Sequence, residues 1–367
     1  MKFSVIIPTY NRANDLRPTL SSLAEISTHE PWELIVVDNN STDETADVVR
    51  QAQSWFPVSL RYIFEGTQGR CAALNAGILA SSSEILVTTD DDVRVDEDWL
   101  DRAAEGLVLC RCDYIGGKVL PIWGGTRPVW LPNRGGRHWS VIALLDYGPH
   151  AVEFGIQVPL GVNMAFRREA FARAGLWDNR LGRKAGTLLG QEVREWGLRA
   201  RAAGLRGFYV PDFMIHHVIP PDRLTKRYFR RWFYWHGISR AMLYSKSRIN
   251  MESPEETELD YSKVPHIGGV PRYMYRSCLS ALGSSIGAHI NGDKVAAFEH
   301  ELWLWFFAGI LRQRLKDRKR GISNDDAPLD EGISESRGFG LTLAKDRSGD
   351  SIGDSISERT AKILEAE

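Results

Sequence analysis

The sequence predicts an α/β protein built on a mostly parallel sheet with helices on both faces. Over the first 120 residues, short apolar runs alternate with stretches of helical periodicity. Strands that are apolar along their whole length are buried on both faces, which is typical of parallel sheets covered by helices. The predicted strands are residues 3–7, 33–37, 60–64 and 85–89, and the predicted helices follow them near 13–23, from 41, at 71–79 and at 99–109.

The rest of the chain divides by composition. A Gly-, Trp- and Pro-rich stretch at 120–160 predicts irregular structure, and ordered elements return at 162–166, 192–203 and 207–210. A helix is predicted over 223–247, an acidic linker over 252–265 and a helical segment over 271–319. We therefore expect a catalytic domain at 1–240, a helical extension at 241–320 that could associate with a membrane, and a disordered tail at 321–367.

Composition excludes several classes of protein. Lys and Arg number 46 against 47 Asp and Glu, so no overall field favours nucleic acid as a partner. The four cysteines are scattered, which favours a reducing cytoplasm over a disulfide framework. The sequence shows neither a signal peptide nor an apolar run of about 18 residues, the length of a spanning helix. We expect a cytoplasmic protein at the inner face of the cell membrane.

Acidic residues follow two of the predicted strands. Asp38 ends the second strand, and Asp90, Asp91 and Asp92 follow the fourth. Ligands of open α/β sheets bind beyond the carboxyl ends of the strands. Asp90 and Asp92 could share Mg²⁺ or Mn²⁺, which would neutralise a diphosphate leaving group. The alternative, a solvated acidic turn, stays open at this point.

Polar residues also follow the first strand and precede the third helix. Pro8, Thr9, Tyr10 and Arg12 could line a nucleotide pocket, and Arg70 could reach a diphosphate. Asn40 has an equally ordinary interpretation as a helix cap.

The ordered series of motifs resembles glycosyltransferase family 2, the inverting transferases with a GT-A fold. The resemblance covers residues 3–240. Its strings are SVIIPTYNR at 4–12, IVVDNNSTD at 35–43, ALNAGI at 73–78, DDD at 90–92, GVNMAFR at 161–167 and GQE at 190–192, followed by Arg199, Gly204, Pro211 and His216-His217.

The resemblance implies a role for each matching residue. Pro8, Tyr10 and Asp38 would contact the nucleoside, and Asp91 would lie nearest the ribose or sugar. Asp90 and Asp92 would bind the metal, with His217, or alternatively His216, as a third ligand or a diphosphate contact. The remaining residues of the expected nucleotide-sugar site are Thr9, Arg12, Asn40, Arg70, Asn75, Gly161 and Asn163.

The family's general base is normally the second residue of a Glu-Asp pair, and here the pair is Gln191-Glu192. Glu192 is the expected base, because glutamate can abstract the same proton. Glu195, one helical turn later, is the alternative. The expected reaction is a single displacement from a nucleotide-diphosphate sugar, with UDP as the expected carrier, onto a glycan or lipid-linked acceptor of an envelope or exported polysaccharide.

Two further questions stay open at this level. The basic, aromatic segment at 223–248 and the Trp- and Phe-rich stretch at 303–307 favour peripheral contact with an anionic membrane, although the aromatic residues could equally pack on the catalytic domain. Rival functions are a binding module that has lost the chemistry, which the Gln191 departure keeps open, and a nucleotidyltransferase, which usually has a Gly-rich loop after its first strand.

Overall fold

The computed structural model describes residues 2–131, 137–155, 157–247, 249–251 and 260–320. Most of the predicted acidic linker and the whole predicted tail lie outside these residues. The described strands are β1 Phe3–Thr9, β2 Trp32–Asp38, β3 Ser59–Phe64, β4 Ile85–Thr89, β5 Val93–Val95, β6 Tyr114–Trp123, β7 Val152–Glu153, β8 Asn163–Arg167, β9 Gly207–Ile219, β10 His266–Ile267 and β11 Val270–Pro271. The helices are α1 Ala13–Ala24, α2 Thr45–Ala52, α3 Arg70–Ala80, α4 Trp99–Leu109, α5 Arg137–Val141, α6 Arg168–Ala174, α7 Glu192–Ala202, α8 Lys226–Ser247, α9 Arg272–Ile290 and α10 Lys294–Lys319.

The predicted α/β class is confirmed. The main sheet has the order β3-β2-β1-β4-β8-β6-β9-β5, with β7 beside β9. Strands β1 to β4 pair in parallel, whereas β8 runs antiparallel to both β4 and β6. The parallel half therefore contains the four strands predicted in the first 120 residues. The mixed half contains the strands predicted at 162–166 and 207–210, together with β5, β6 and β7, which were not predicted.

Helices cover both faces of the parallel half, as the sequence predicts. Alternate residues of β1 point to opposite faces, so that Phe3, Val5 and Ile7 pack in one apolar cluster and Ile6 packs in another. All seven residues of β1 and of β2 are buried. This burial explains why the strands read as continuous apolar runs.

Strand β9 differs most from the expectation. It continues nine residues beyond the predicted strand at 207–210, so His216 and His217 lie within it. The short strand β5, which the sequence did not reveal, pairs antiparallel with β9 and sets Val93 opposite His217. This register brings His217 next to the acidic triplet, because Asp92 immediately precedes β5.

The predicted helical segment at 271–319 is two helices, α9 and α10, separated at residues 291–293. Helix α10 packs on both α8 and α9. Two glycines allow α8 and α10 to cross in backbone contact: a Cβ atom on Gly237 would lie 2.0 Å from the Phe306 carbonyl oxygen, and one on Gly309 would lie 2.0 Å from that of Tyr234.

The aromatic residues of α8 pack largely inward. Phe229, Phe233 and Tyr244 are buried, and Trp130 meets Phe229 edge-on with ring centroids 4.9 Å apart. These side chains are core rather than the predicted membrane surface. No helix among the described residues is long and apolar enough to cross a bilayer.

The close crossing of α8 and α10 predicts that stability is sensitive to added side-chain volume at Gly237. We expect Gly237→Ala to lower the free energy of unfolding by about 2 kcal/mol, because the new methyl group must push two backbones apart. Gly283→Ala is the matched control: it lies in α9 with open space at its Cβ position, so greater helix propensity should leave stability equal or higher. Chemical denaturation measures both. An unchanged Gly237→Ala would contradict the close crossing.

Candidate active site

The carboxyl ends of β1, β2 and β4 meet at one edge of the sheet. The Thr9 hydroxyl donates to Asp91 Oδ2 at 2.7 Å, and the Asn39 amide donates to the Thr9 carbonyl at 2.8 Å. The backbone of Asp92 is fixed from the other side, since its carbonyl accepts from the Val218 amide at 2.9 Å. The acidic triplet thus lies between the carboxyl ends of the parallel strands and the β5–β9 pair.

Each carboxylate of the triplet has a basic partner. Arg70 Nη2 lies 2.8 Å from Asp90 Oδ1. Arg12 lies between the other two, with Nε 3.1 Å from Asp91 Oδ1 and Nη2 2.7 Å from Asp92 Oδ2. Although burial opposes its charge, these carboxylates hold the pKa of Arg12 above its ordinary value. Each aspartate of the triplet is therefore paired with an arginine, and the triplet is not a solvated turn.

Asp91 and Asp92 have opposite tendencies to ionise. Burial raises the pKa of Asp91 to about 7, against the charge of Arg12. Burial also opposes ionisation of Asp92, but His217 and then Arg12 and Arg223 hold its pKa well below the usual range. Burial therefore favours the protonated form of Asp91, whereas the basic partners of Asp92 favour its ionised form.

His217 joins the triplet in a defined orientation. Its Nδ1 lies 3.1 Å from the carbonyl oxygen of Ile142, which can only accept, so Nδ1 carries a proton. Its Nε2 then faces Asp92 Oδ1 at 3.2 Å, and Arg223 Nη2 lies 3.5 Å from Asp92 Oδ2. A histidine whose second nitrogen donates to a backbone carbonyl is the usual form of a metal ligand.

The predicted metal set of Asp90, Asp92 and His217 is not assembled. Among the described residues, no group of three His, Cys, Asp or Glu side chains is placed to hold an ion. Asp90 is instead held by Arg70, which leaves Asp92 and His217 as the pair that fits a divalent cation. Two protein ligands suffice for an ion that takes its other ligands from phosphates and water.

Arg70, at the start of α3, connects the triplet to a second acidic residue. Its Nη2 donates to Asp90 and to the Gly161 carbonyl at 2.9 Å, while Nη1 lies 3.6 Å from Glu192 Oε1. Burial opposes the charge of Arg70, but Asp90 and Glu192 hold its pKa above the ordinary value. A Cβ atom on Gly161 would lie 3.0 Å from Arg70 Nη1, so only glycine leaves the guanidinium undisturbed.

Glu192 is the first residue of α7 and is buried. Its Oε2 atom has no hydrogen-bond partner within the part of the chain that the structure describes. A carboxylate oxygen without a partner in a buried site is available to accept a proton from a bound molecule. Glu195, the alternative base, is committed elsewhere: Arg199 contacts both of its oxygens at 2.8 Å, and Lys246 contacts Oε1.

Comparison with known proteins finds one family and several relatives. Residues 4–175 match Glycosyl transferase family 2. Glycosyltransferase AglE of Haloferax volcanii is 28% identical over 229 residues, which cover 62% of this chain and 70% of that protein. The family match and this relative support a glycosyltransferase of family 2.

Other matches differ in extent. The glucosyl-dolichyl phosphate glucuronosyltransferase of Haloferax volcanii is 24% identical, over 66% of this chain and 77% of that protein. The chain spans only 28% of an uncharacterized glycosyltransferase of Nostoc sp. that is 39% identical over 92 residues. The family match and these relatives support glycosyl transfer in glycan or polysaccharide synthesis.

The mannosyltransferase PcManGT from Pyrobaculum calidifontis, solved with GDP-Man and Mn²⁺, superposes with a TM-score of 0.56. The superposition covers 85% of this chain and 86% of that chain at 18% identity. Likeness at this identity shows the fold, which is the GT-A fold that the resemblance implies.

Two residues that the family 2 resemblance assigned to the donor have structural roles here. Asn163 is fully buried and uses both ends of its amide within the protein, donating to the Phe213 carbonyl at 2.8 Å and accepting from Trp99 at 3.2 Å. Asn75 fastens the loop after α6: it donates to the Trp177 carbonyl at 2.9 Å and accepts from the Trp177 amide at 3.0 Å. Neither amide is aimed at the triplet.

Asp38, which the resemblance assigned to the nucleoside, has a partner that sequence reasoning missed. Pro8 is buried in β1, and the half-buried Tyr10 follows that strand. Asp38 accepts from the Ser41 amide at 2.9 Å and from the Tyr62 hydroxyl at 2.8 Å. Burial and then the Asp38 hydrogen bond raise the pKa of Tyr62 to about 12. Tyr62 therefore fixes the carboxylate, and its place opposite Val36 in the β2–β3 pairing was the available signal.

Asn39, rather than the predicted Asn40, organises the loop before Arg70. Its Oδ1 accepts from the Gly69 amide at 2.6 Å and from Gln68 at 3.0 Å, while its Nδ2 donates to the Thr67 carbonyl at 2.8 Å. Asn40 is exposed and left-handed, with φ of 65°. The only sequence signal for Asn39 was its position after Asp38. Asn40 is the next residue, so position alone does not distinguish the two asparagines.

The Gln191 departure from the family pair has a structural counterpart. Gln191 is left-handed, with φ of 74°, and its Oε1 accepts from the buried Arg240 at 3.2 Å. Burial, and then the nearby charge of Arg194, lower the pKa of Arg240 to about 9. Burial likewise keeps the adjacent His236 neutral by lowering its pKa well below the ordinary value. Gln191 therefore links Arg240 of α8 to the start of α7, because it immediately precedes Glu192, the first residue of that helix.

The Asn39 contacts predict a sensitive position for nucleotide binding. We expect Asn39→Ala to raise the Kd for a nucleoside diphosphate about tenfold, because the lost hydrogen bonds free the loop that positions Arg70. Asn40→Gly, which keeps the left-handed backbone, is the control and should bind normally. Isothermal titration calorimetry measures both Kd values, and equal affinities would show that the Asn39 contacts do not position Arg70.

Proposed function

We propose that this chain is an inverting glycosyltransferase that moves a sugar from a nucleoside-diphosphate sugar to a hydroxyl of a lipid-linked glycan. One observation supports the proposal above the others: Arg70 contacts both Asp90 of the acidic triplet and Glu192. The guanidinium that would bind a departing diphosphate therefore also contacts the carboxylate that would activate an attacking hydroxyl. Transfer in a single displacement needs these two groups on either side of one carbon atom.

The leaving-group side of the site is strongly basic. Arg12, Arg70 and Arg223 converge on the triplet, and each can pair with phosphate oxygens as well as with carboxylates. Asp92 and His217 are the residues that would hold Mn²⁺ or Mg²⁺. Such an ion, when bound, supplies charge stabilisation to a departing diphosphate. PcManGT, which shares the fold, was solved with Mn²⁺ and a nucleotide sugar.

Glu192 is the proposed general base. Its buried Oε2 accepts the proton of the acceptor hydroxyl while that oxygen forms a bond to the anomeric carbon. The bond from this carbon to the diphosphate breaks, and its electron pair leaves with the nucleoside diphosphate. Attack from the face opposite the leaving group inverts the configuration at the carbon.

The proposed nucleoside and acceptor follow from the contacts of Asp38 and from one relative. The Asp38 carboxylate, held by Tyr62 and Ser41, can accept a hydrogen bond from a base N–H or a ribose hydroxyl, and UDP is the proposed carrier. A lipid-linked acceptor is supported by the relative that acts on glucosyl-dolichyl phosphate. Such an acceptor requires the protein to work at a membrane surface.

The base assignment predicts opposite defects in two neighbouring glutamates. Glu192→Gln should lower kcat about a thousandfold, because the amide cannot take the proton, and should leave the Kd for donor unchanged. Glu195→Gln is the control: breaking its ion pairs with Arg199 and Lys246 should cost about 3 kcal/mol of stability with little loss of kcat in the folded fraction. Turnover combined with thermal denaturation separates the two. A large kcat loss in Glu195→Gln alone would make Glu195 the base.

Donor turnover tests the function as a whole. UDP-, GDP- and dTDP-sugars, each with and without Mn²⁺, should yield free nucleoside diphosphate from one donor class, and Asp92→Ala should abolish both this release and Mn²⁺ binding in the presence of that nucleotide. Asp15→Ala, which removes a partly exposed partner of Arg12, is the control and should retain both. Release of pyrophosphate would indicate a nucleotidyltransferase. Nucleotide binding without release from any donor, with lipid-linked acceptor supplied, would indicate a binding module.

A further inference from the structure

Helix α9 has two unlike sides. One side carries Met274, Ala281 and Ser285, which are buried against the rest of the C-terminal helices. The opposite side carries large aliphatic residues in solvent, with fractional exposures of 70% for Leu279, 43% for Leu282, 52% for Ile286 and 80% for Ile290. Their spacing of three and four residues places them on one stripe of the helix.

The charges carried by helix α9 itself have one sign. Arg272 and Arg276 are exposed and, at seven and three residues before Leu279, lie on the same side of α9. The sequence contains no Asp or Glu from residue 261 to residue 292. A protein partner that matched this face would need an apolar, acidic surface, and an anionic membrane presents that combination over an extended plane.

A groove beside the stripe has the same character. A cavity of about 380 Å³ opens between α9 and α10, with an apolar and aromatic floor and with Arg276 and His300 among its polar lining residues. The apolar lining residues are Met274, Cys278, Ala281, Trp303, Phe306 and Phe307. An aromatic floor beside a guanidinium suits an acyl chain and the phosphate to which it is attached.

We propose that the outer side of α9 docks on the surface of an anionic bilayer. Leu279, Leu282, Ile286 and Ile290 enter the boundary between headgroups and acyl chains, while Arg272 and Arg276 contact lipid phosphates. The helix of 19 residues is about 28 Å long and lies in the plane of the surface. This inference rests on the proposed lipid-linked acceptor, and it assigns the contact to α9, whereas the aromatic residues of α8 are largely core.

Vesicle flotation of the full chain tests the assignment. The probe is a vesicle of phosphatidylcholine with added phosphatidylglycerol, which supplies a negative surface, compared with phosphatidylcholine alone. We expect Leu279→Gln/Ile286→Gln to lower the partition coefficient about tenfold, since two aliphatic side chains no longer enter the interface. Arg272→Glu/Arg276→Glu should remove the preference for the anionic vesicle.

The matched control is Val108→Gln/Leu109→Gln at the end of α4, where the two side chains are 61% and 74% exposed. This pair should float like the unchanged protein. Equal partition of the α9 variants and the control, or no flotation of the unchanged protein, overturns the proposal. A dimer in sedimentation velocity that only the α9 variants dissociate would also overturn it, because a second copy would then cover the face.

Membrane binding by α9 and glycosyl transfer are measured separately. Release of nucleoside diphosphate with a water-soluble acceptor, measured without vesicles, should be equal in the α9 variants and the unchanged protein. Flotation without any donor turnover would leave the membrane face standing and refute the transferase, whereas turnover without flotation would do the reverse.

Discussion

The neutralisation of the acidic triplet is the interaction on which the rest of this structure depends. Buried carboxylates are costly unless each is paired and hydrogen-bonded. Here Asp90, Asp91 and Asp92 are compensated by arginines from three separate parts of the chain: Arg12 after β1, Arg70 at the start of α3 and Arg223 before α8. These pairs hold the loop ends of the parallel sheet and the beginning of the C-terminal helices around one point.

The same charge balance explains why the C-terminal helices belong to the site. Helix α8 supplies Arg240 to Gln191, and the turn before it supplies Arg223 to Asp92. Glycines at the α8–α10 crossing then let α10 cover the aromatic side of α8. A displacement of α8 at that crossing would therefore shift Glu192, because α8 contacts the start of α7 through Gln191.

The parallel half of the fold was predictable because its signal is local. Continuous apolar runs followed by polar residues define β1 to β4, and their boundaries agree within two residues with the predicted strands. The contact of His217 with Asp92 was not predictable in geometry, because it depends on β5, a strand of three residues, and on pairing across more than 120 positions. Asn163 matched a donor-site motif, yet its amide serves backbone groups of neighbouring strands, which no local pattern reveals. Aromatic residues at helical spacing in α8 fitted a membrane surface and a core equally well, and only tertiary packing distinguishes the two.

Arg70 gives the proposed reaction an internal coupling. In the structure its guanidinium is shared between Asp90, the Gly161 carbonyl and Glu192. A diphosphate that pairs with Arg70 competes with Glu192 for the same positive charge. The side chain proposed to bind the leaving group therefore also contacts the carboxylate proposed as base, so donor binding at Arg70 would act directly on the position of Glu192.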